Sequence, residues 1–127
     1  DFNVAHTDLD VGIADAGRFP GCSPEERASF DRLLESGFVD TFRRLHPQKR
    51  AYSWWSYAPF ARAANQGLRF DYVLASKELG ASLRAAATDP ETPGSDHGPV
   101  SLELDLFLQG TAVRKPVSPL GQFGLGI

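Results

Sequence analysis

A carboxylate and an imidazole stand side by side in the short segment 94–100, GSDHGPV, as Asp96 and His97. The flanking glycines and Pro99 predict a tight loop, because glycine tolerates unusual backbone angles and proline restricts its own. A carboxylate beside a neutral imidazole fixes the tautomer of the ring and raises its basicity. Such a pair is suited to a base that acts on water.

Three more polar residues interrupt apolar segments elsewhere in the chain: Asp1, Asn3 and Asp71. A lone buried carboxylate is costly, so each needs a partner, a metal ion or a hydrogen-bond donor. Oxygen ligands without a cysteine cluster favour a hard cation such as Mg²⁺ or Mn²⁺ over structural zinc. Together with Asp96 and His97, these residues predict metal-assisted hydrolysis of a phosphate ester. We expect all five side chains to converge on one pocket.

Simpler structural roles compete for each of these residues taken singly. Asp96 could cap a turn, and Asp71 could pair with an arginine such as Arg69. The aromatic residues of segment 51–57 could pack in the core or at its rim. The basic residues of segment 43–50 could form a solvated face, or a stripe that contacts phosphates.

Composition narrows the functional class. The 127 residues are the length of one domain, and 42% hydrophobic content is enough for a core. A net charge of -3 argues against a purely electrostatic coat on DNA, but leaves room for a local basic groove. The single cysteine, Cys22, excludes an internal disulfide and fits a reducing compartment. No apolar run is long enough to predict a membrane span.

The coarse pattern predicts a mixed α/β fold in which strands outnumber helices. Ser23 and Pro24 begin a helix that Gly37 ends, with Ser23 as N-cap and Glu26 three residues later. Short helical segments are expected at 43–45 and 77–83. Strands are expected at 1–5, 51–57, 69–75 and 100–108, and a loop at 59–67.

The two ends of the chain carry expectations of their own. Residues 109–127 contain two prolines and four glycines, which favours a tail or linker. The chain opens on Asp1 rather than Met and enters a strand-like segment directly. We therefore expect a processed chain or a fragment that lacks something upstream.

Several of these segments, in order, carry a family signature. The chain resembles the C-terminal half of the endonuclease/exonuclease/phosphatase superfamily, and most closely the apurinic/apyrimidinic endonucleases of the exonuclease III type. The Ser-Asp-His motif marks the whole superfamily, whereas the aromatic segment and the segment around Asp71 narrow it to the DNA-repair branch. The matching segments are DFNVA at 1–5, GFVDTFR at 37–43, YSWWSY at 52–57, NQGLRFDY at 65–72 and GSDHGPV at 94–100.

The resemblance implies a fold and a division of roles within the site. The fold would be half of a four-layer, DNase I-like α/β sandwich over residues 1–108, with a mostly antiparallel or mixed sheet and flanking helices. Asp1 would activate water or protonate the leaving group, and Asn3 would orient it at the phosphate. Asp96 would lie at the metal, and His97, oriented by Asp71, would contact the phosphate or act as base.

The resemblance also implies a substrate. The family members cleave double-stranded DNA 5′ to abasic sites with Mg²⁺ or Mn²⁺, and some degrade DNA as 3′-5′ exonucleases. An extruded abasic sugar has no base to unstack, so a tight pocket can select it. The residues expected to face this DNA are Trp54, Trp55, Arg62, Asn65, Leu68 and Arg69, with Leu68 where some members carry tryptophan.

In the family, the N-terminal half supplies an asparagine and a glutamate that hold the metal, and those segments have no counterpart here. We therefore expect this chain to need the missing half as a partner and to be inactive alone, with no membrane association and an intracellular location. Two other functions stay open: another phosphoesterase of the superfamily, such as a phosphatase or non-specific nuclease, and a non-catalytic scaffold fragment.

Overall fold

A reciprocal cap begins the longest helix, α1 (Pro24–Glu35). The Ser23 hydroxyl accepts a hydrogen bond from the Glu26 N–H at 3.2 Å, and the Glu26 carboxylate accepts from the Ser23 N–H at 3.0 Å. Glu26 also accepts from the Gly21 N–H, so the cap holds the preceding loop as well. The predicted helix start is confirmed. The buried face of α1 presents Phe30, whose ring packs against Tyr72 with centroids 4.6 Å apart.

The computed structural model describes residues 1–108 and 111–112. Besides α1 it contains α2 (Thr41–Leu45) and three 3₁₀ turns, Asp8–Asp10, Ala16–Arg18 and Lys77–Ser82. The turn at Lys77–Ser82 confirms the short helix expected there. Among the described residues, no helix has the length and apolar character needed to cross a bilayer. The tail predicted at 109–127 lies outside the described residues, except for 111–112.

Within the described residues, the strands form three antiparallel pairs rather than one continuous sheet. The first pairs β1 (Phe38–Asp40) with β2 (Leu74–Ser76), and the second pairs β3 (Leu83–Thr88) with β4 (Val100–Leu104). The third is the small pair β5 (Phe107–Leu108) and β6 (Thr111–Ala112). The mixed α/β class is confirmed, and β4 lies immediately after the loop that carries Asp96 and His97.

All four predicted strands differ in extent from the structure: the one at 100–108 is interrupted at 105–106, between β4 and β5, and the other three are shorter still or absent. Residues 1–5 and 69–73 form no strand pairing in the structure, and segment 51–57 has single bridges instead of a ladder, with Trp54 opposite both Leu68 and His97. In the first segment, Asn3 adopts a left-handed φ of 51°, which no regular strand accommodates. In segments 51–57 and 69–73 the apolar residues are mostly buried without regular pairing, whereas residues 1–3 are exposed.

Arg69 lies at the centre of the core, fully buried between two acids. Its Nε donates to Asp10 at 2.7 Å, and its Nη2 donates to Asp40 at 2.6 Å. Burial alone would raise the pKa of Asp10, but the pairs with Arg69 and Arg43 hold it below its usual range. The suggested pairing of Arg69 with Asp71 is wrong. Since Arg69 is satisfied by other acids, the Asp71 carboxylate is left for the site.

Candidate active site

Asp71 and His97 form a hydrogen-bonded pair. The Asp71 Oδ2 and the His97 Nδ1 are 2.8 Å apart, and the two side chains are 13% and 27% exposed. An ionised carboxylate can only accept, so the hydrogen lies on Nδ1 of the ring. The other ring nitrogen, Nε2, is then left with its lone pair in the neutral imidazole, ready to accept a proton.

Asp1 joins this pair from the other end of the sequence. One ligand atom from each of Asp1, Asp71 and His97 lies within 4.8 Å of the others, although Asp1 is exposed. Two carboxylates and an imidazole are a donor set that a divalent cation accepts. They provide fewer than the six ligands that Mg²⁺ takes, so water, phosphate or other residues would complete its coordination. The residues present therefore fit a partial metal site.

Asp96 lies next to this group in the chain but is held differently. Its Oδ2 accepts a hydrogen bond from the indole N–H of Trp54 at 3.0 Å, and this bond lowers the pKa of the carboxyl. Its backbone oxygen accepts from the Trp55 N–H at 3.0 Å. Asp96 is absent from the group of three that could share an ion among the described residues. Its assignment as the metal ligand stays a prediction.

The loop around His97 tolerates only glycine at position 98. A Cβ added to Gly98 would lie 2.4 Å from the backbone oxygen of Asp89, and side-chain carbons do not approach a carbonyl so closely. The Gly98 N–H donates to the Ser53 carbonyl at 2.7 Å. The loop therefore packs directly on the backbone of two other segments, which fixes the position of the imidazole.

Asn3 is exposed, and its backbone reaches the site segment. The Phe2 N–H donates to the Phe70 carbonyl at 3.0 Å, which places residues 1–3 beside the segment of Asp71. Gly21 packs so tightly on the Asn3 carbonyl that an added Cβ would lie 2.2 Å from it. Asn3 thus lies at the edge of the site, and the role assigned to its side chain stays a prediction.

The six residues expected at DNA do not share one surface. Trp55, Leu68 and Arg69 are at most 1% exposed, so their side chains are core residues and offer no surface to DNA in this structure. The DNA contact expected of these three residues stays a prediction. Trp54 is half-buried and touches Asp96, so it stays a candidate for the wall of a substrate pocket.

Arg62 and Asn65 hold the loop at 58–67 in shape. Arg62 donates to the carbonyls of Pro90, Thr92 and Ser95 at 2.8, 2.8 and 2.6 Å, and its guanidinium stacks over Trp55. Asn65 accepts from the indole N–H of Trp55 at 3.2 Å. Because all three guanidinium nitrogens donate to backbone oxygens, Arg62 binds this loop to the one that leads into Asp96.

Two exposed aromatic side chains were not singled out from the sequence as surface residues. Tyr57 and Phe60 are 85% and 82% exposed, in the turns that follow Trp55. Phe60 also has a positive φ of 67°, an uncommon backbone conformation for a bulky residue. The neighbouring Pro59 was a signal for a turn, but nothing local indicates that the aromatic rings flanking it face solvent.

Known proteins share this arrangement of segments. Residues 1–97 match the Endonuclease/Exonuclease/phosphatase family. An exodeoxyribonuclease of Bacillus subtilis is 44% identical over 108 residues, which cover 84% of this chain and 43% of the relative. The DNA repair nuclease APEX1 of Danio rerio is 42% identical over 106 residues, covering 82% and 34% of the two chains. The chain thus spans less than half the length of these curated relatives.

Solved structures agree with the sequence relatives. An AP endonuclease of Leishmania major superimposes with a TM-score of 0.76 at 36% identity, over 80% of this chain and 32% of that one. A 3′ phosphatase from Neisseria, solved with a product DNA hairpin, gives 0.78 at 34% identity, over 84% and 43%. The expected DNase I-like α/β fold and the resemblance to exonuclease III-type enzymes are confirmed. On its matched sequence and its fold, the chain belongs to the endonuclease/exonuclease/phosphatase family.

Proposed function

We propose that this chain is the part of a DNA-repair phosphodiesterase that carries the Asp71–His97 pair, and that it acts together with a further half of the same domain. The reaction is cleavage of the DNA backbone 5′ to an abasic site, with removal of 3′-terminal nucleotides as a second activity. The observation that carries the proposal is the convergence of Asp1, Asp71 and His97 within 4.8 Å. Because the proposed substrate is DNA under repair, we propose an intracellular location.

In the proposed reaction, a water oxygen forms a bond to the phosphorus while the bond between phosphorus and the 3′ oxygen breaks. His97, held in one tautomer by Asp71, either contacts the phosphate or takes the proton of the attacking water. Asp1 and Asn3 position the water and the scissile phosphate, or supply the proton that the departing 3′ oxygen needs. The products are a 3′-hydroxyl and a 5′-phosphate on the abasic residue.

The family is generally dependent on a divalent metal ion. We propose Mg²⁺ or Mn²⁺ for this protein, with Asp96 as a ligand. The ion would neutralise developing charge on the phosphate oxygens. The indole of Trp54, which donates to Asp96, keeps this carboxylate ionised and aimed at a fixed point, as a metal ligand requires.

The surface beside Asp96 and Trp54 is suited to selecting an abasic site. An abasic nucleotide leaves the stack at low cost, so a pocket shaped for its sugar can accept it and reject intact nucleotides. We assign Trp54 to the pocket wall and the exposed face of the loop at 58–67 to the DNA. Trp55 and Arg62 support that loop from behind.

A second candidate is removal of 3′-terminal phosphates and nucleotides as the main activity. It is favoured by the similarity to the Neisseria protein, which is described as a 3′ phosphatase in one solved structure and as a 3′-5′ exonuclease in another. The two candidates use the same phosphate site and differ in how the rest of the pocket receives the DNA.

The test uses the complete protein with Mg²⁺ and three duplexes: one with an abasic analogue, one with a 3′-phosphate end and one intact. The proposal expects incision of the abasic duplex at least about 100-fold faster than the intact one, a discrimination that a shaped pocket can supply. A preference for the 3′-phosphate duplex would support the second candidate. Equal cleavage of all three duplexes would refute abasic selectivity. The absence of cleavage of any duplex would refute the proposed enzymatic function.

A further inference from the structure

We infer that Ser53 is a positioning residue that sets the distance between Asp71 and His97. Ser53 is fully buried, and its hydrogen bonds reach both segments that carry the pair. It touches neither reacting side chain through its own side chain. Its contacts are to the backbone on both sides of the site, and the inference rests on the proposed role of the Asp71–His97 pair.

On the Asp71 side, the Ser53 hydroxyl oxygen accepts two backbone hydrogen bonds. The N–H groups of Phe70 and Asp71 each donate to Oγ at 2.9 Å. The Ser53 N–H donates in turn to the Leu68 carbonyl at 2.9 Å. One small side chain therefore fixes the peptide from which the Asp71 carboxylate projects, in a stretch where no strand ladder does so.

On the His97 side, the contact runs through the Ser53 carbonyl. It accepts from the Gly98 N–H at 2.7 Å, one residue after the imidazole. The next residue, Trp54, continues the connection, because it forms a single bridge with His97 and donates its indole N–H to Asp96. Ser53 thus joins two segments that are 26 residues apart in sequence and meet at the 2.8 Å hydrogen bond between Asp71 and His97.

Chemistry explains why a hydroxyl occupies this position. Two backbone N–H groups that point at one buried spot need an acceptor there, and a buried donor without one is destabilising. An alanine at 53 leaves both donors unpaired, so the peptide at Asp71 shifts to find other partners. A shift of about 1 Å in a catalytic group can lower a rate about 100-fold.

The experiment compares Ser53→Ala and Ser53→Thr with a matched control, Thr41→Val, in the complete protein. Thr41 is also buried and lies in α2. Its hydroxyl donates to the carbonyl of Val73, two residues after Asp71, at 2.6 Å. The measurements are kcat and KM on the abasic duplex, thermal unfolding, and the NMR signal of the His97 Nδ1 hydrogen at fixed pH.

We expect Ser53→Ala to lower kcat roughly 10–100-fold with little change in KM, because the interaction acts on the reacting geometry. The His97 Nδ1 hydrogen signal should move or broaden in the same variant. Ser53→Thr, which keeps the oxygen, should recover most of kcat. Thr41→Val should lower the unfolding temperature but leave kcat and the His97 signal at the parent values.

Equal losses of kcat in Ser53→Ala and Thr41→Val would overturn the inference, as would parent kcat with an unchanged His97 signal in folded Ser53→Ala. If the alanine variant does not fold, Ser53→Cys, with a weak sulfur acceptor of similar size, replaces it in the same comparison. If the parent cleaves no DNA, the proposed function fails, but the His97 signal still decides whether Ser53 sets the pair.

Discussion

The Asp71–His97 hydrogen bond gives the sharpest test of the site. Asp71→Asn keeps the size of the side chain and an oxygen that can accept from His97, but removes the negative charge. If Asp71 acts only through the imidazole of His97, its loss should lower the cleavage rate only in proteins that still contain His97. The prediction therefore concerns a pair of variants and their combination, rather than one substitution.

The magnitude follows from the geometry of the bond. Hydrogen bonds to a charged group contribute about 1.5–3 kcal/mol. At 2.8 Å the bond is short, but the imidazole is 27% exposed, and solvent screening reduces the effect toward the lower end. A loss of about 1.4–2.7 kcal/mol of transition-state stabilisation corresponds to a 10–100-fold lower kcat. His97→Ala, which removes the group itself, should cost about 10²–10⁴-fold.

The assay is single-turnover cleavage of the abasic duplex by the complete protein, with Asp71→Asn, His97→Ala and the double variant. The matched control is Asp31→Asn, because Asp31 forms the other His–Asp contact, with His6 at 2.6 Å. That variant changes the same chemical group and should retain the parent rate. The double variant should be no slower than His97→Ala.

Two results would refute the reasoning. Multiplying losses in the double variant would mean that Asp71 acts on the substrate or a metal ion independently of His97. A parent rate for Asp71→Asn would mean that the pair is structural. In the second case, the group of Asp1, Asp71 and His97 would no longer support the proposed chemistry.

Three further predictions follow from other parts of the molecule. Arg69→Met should lower the free energy of unfolding at pH 7 by about 3–5 kcal/mol in urea titrations, because it leaves the buried Asp40 without its arginine partner and leaves Asp10 paired with Arg43 alone. In the parent, the lowered pKa of Asp10 stabilises the folded state above the ordinary aspartate pKa of about 3.9. This stability is lost as the pH falls through the lower pKa of the folded state. The difference in free energy of unfolding between the parent and Arg69→Met should therefore become smaller in acid. Ser23→Ala should cost about 1 kcal/mol of stability by urea titration and leave kcat unchanged, whereas a loss of kcat would mean that the cap acts on the site. Chelation with EDTA should abolish cleavage and added Mg²⁺ should restore it; full activity in the chelator would exclude the proposed metal dependence.

Local signals predicted the features that depend on neighbours in sequence. The start of α1 needed only Ser23, Pro24 and Glu26, and all of its capping contacts lie within a few residues. The pairing of Asp71 with His97 was indicated by the family resemblance rather than by local signals, because the two residues are 26 positions apart, and the structure places their side chains in contact.

Features that depend on distant partners could not be predicted in this way. Arg69 lies in a motif that pointed to DNA, but it is buried by Asp10 and Asp40, which are 59 and 29 residues away. The alternation in segments 51–57 and 69–73 correctly marked buried residues such as Trp55, but not the lack of ladder partners. The strand β3 was missed because its alanine-rich sequence has little strand propensity.

Single hydrogen bonds, rather than strand ladders, join the segments of the site, and this has a consequence for folding. The hydrogen bond from Tyr72 to the Val4 carbonyl spans 68 residues, and the Asp71–His97 contact spans 26. Contacts between distant residues form late, because the chain loses closure entropy before it gains their energy. The imidazole should therefore acquire its partner only in the last stage of folding, after α1 and the hairpin of β3 and β4 have formed. Under the proposed function, a chain that folds in this order holds no complete cleavage site while it is still partly unfolded.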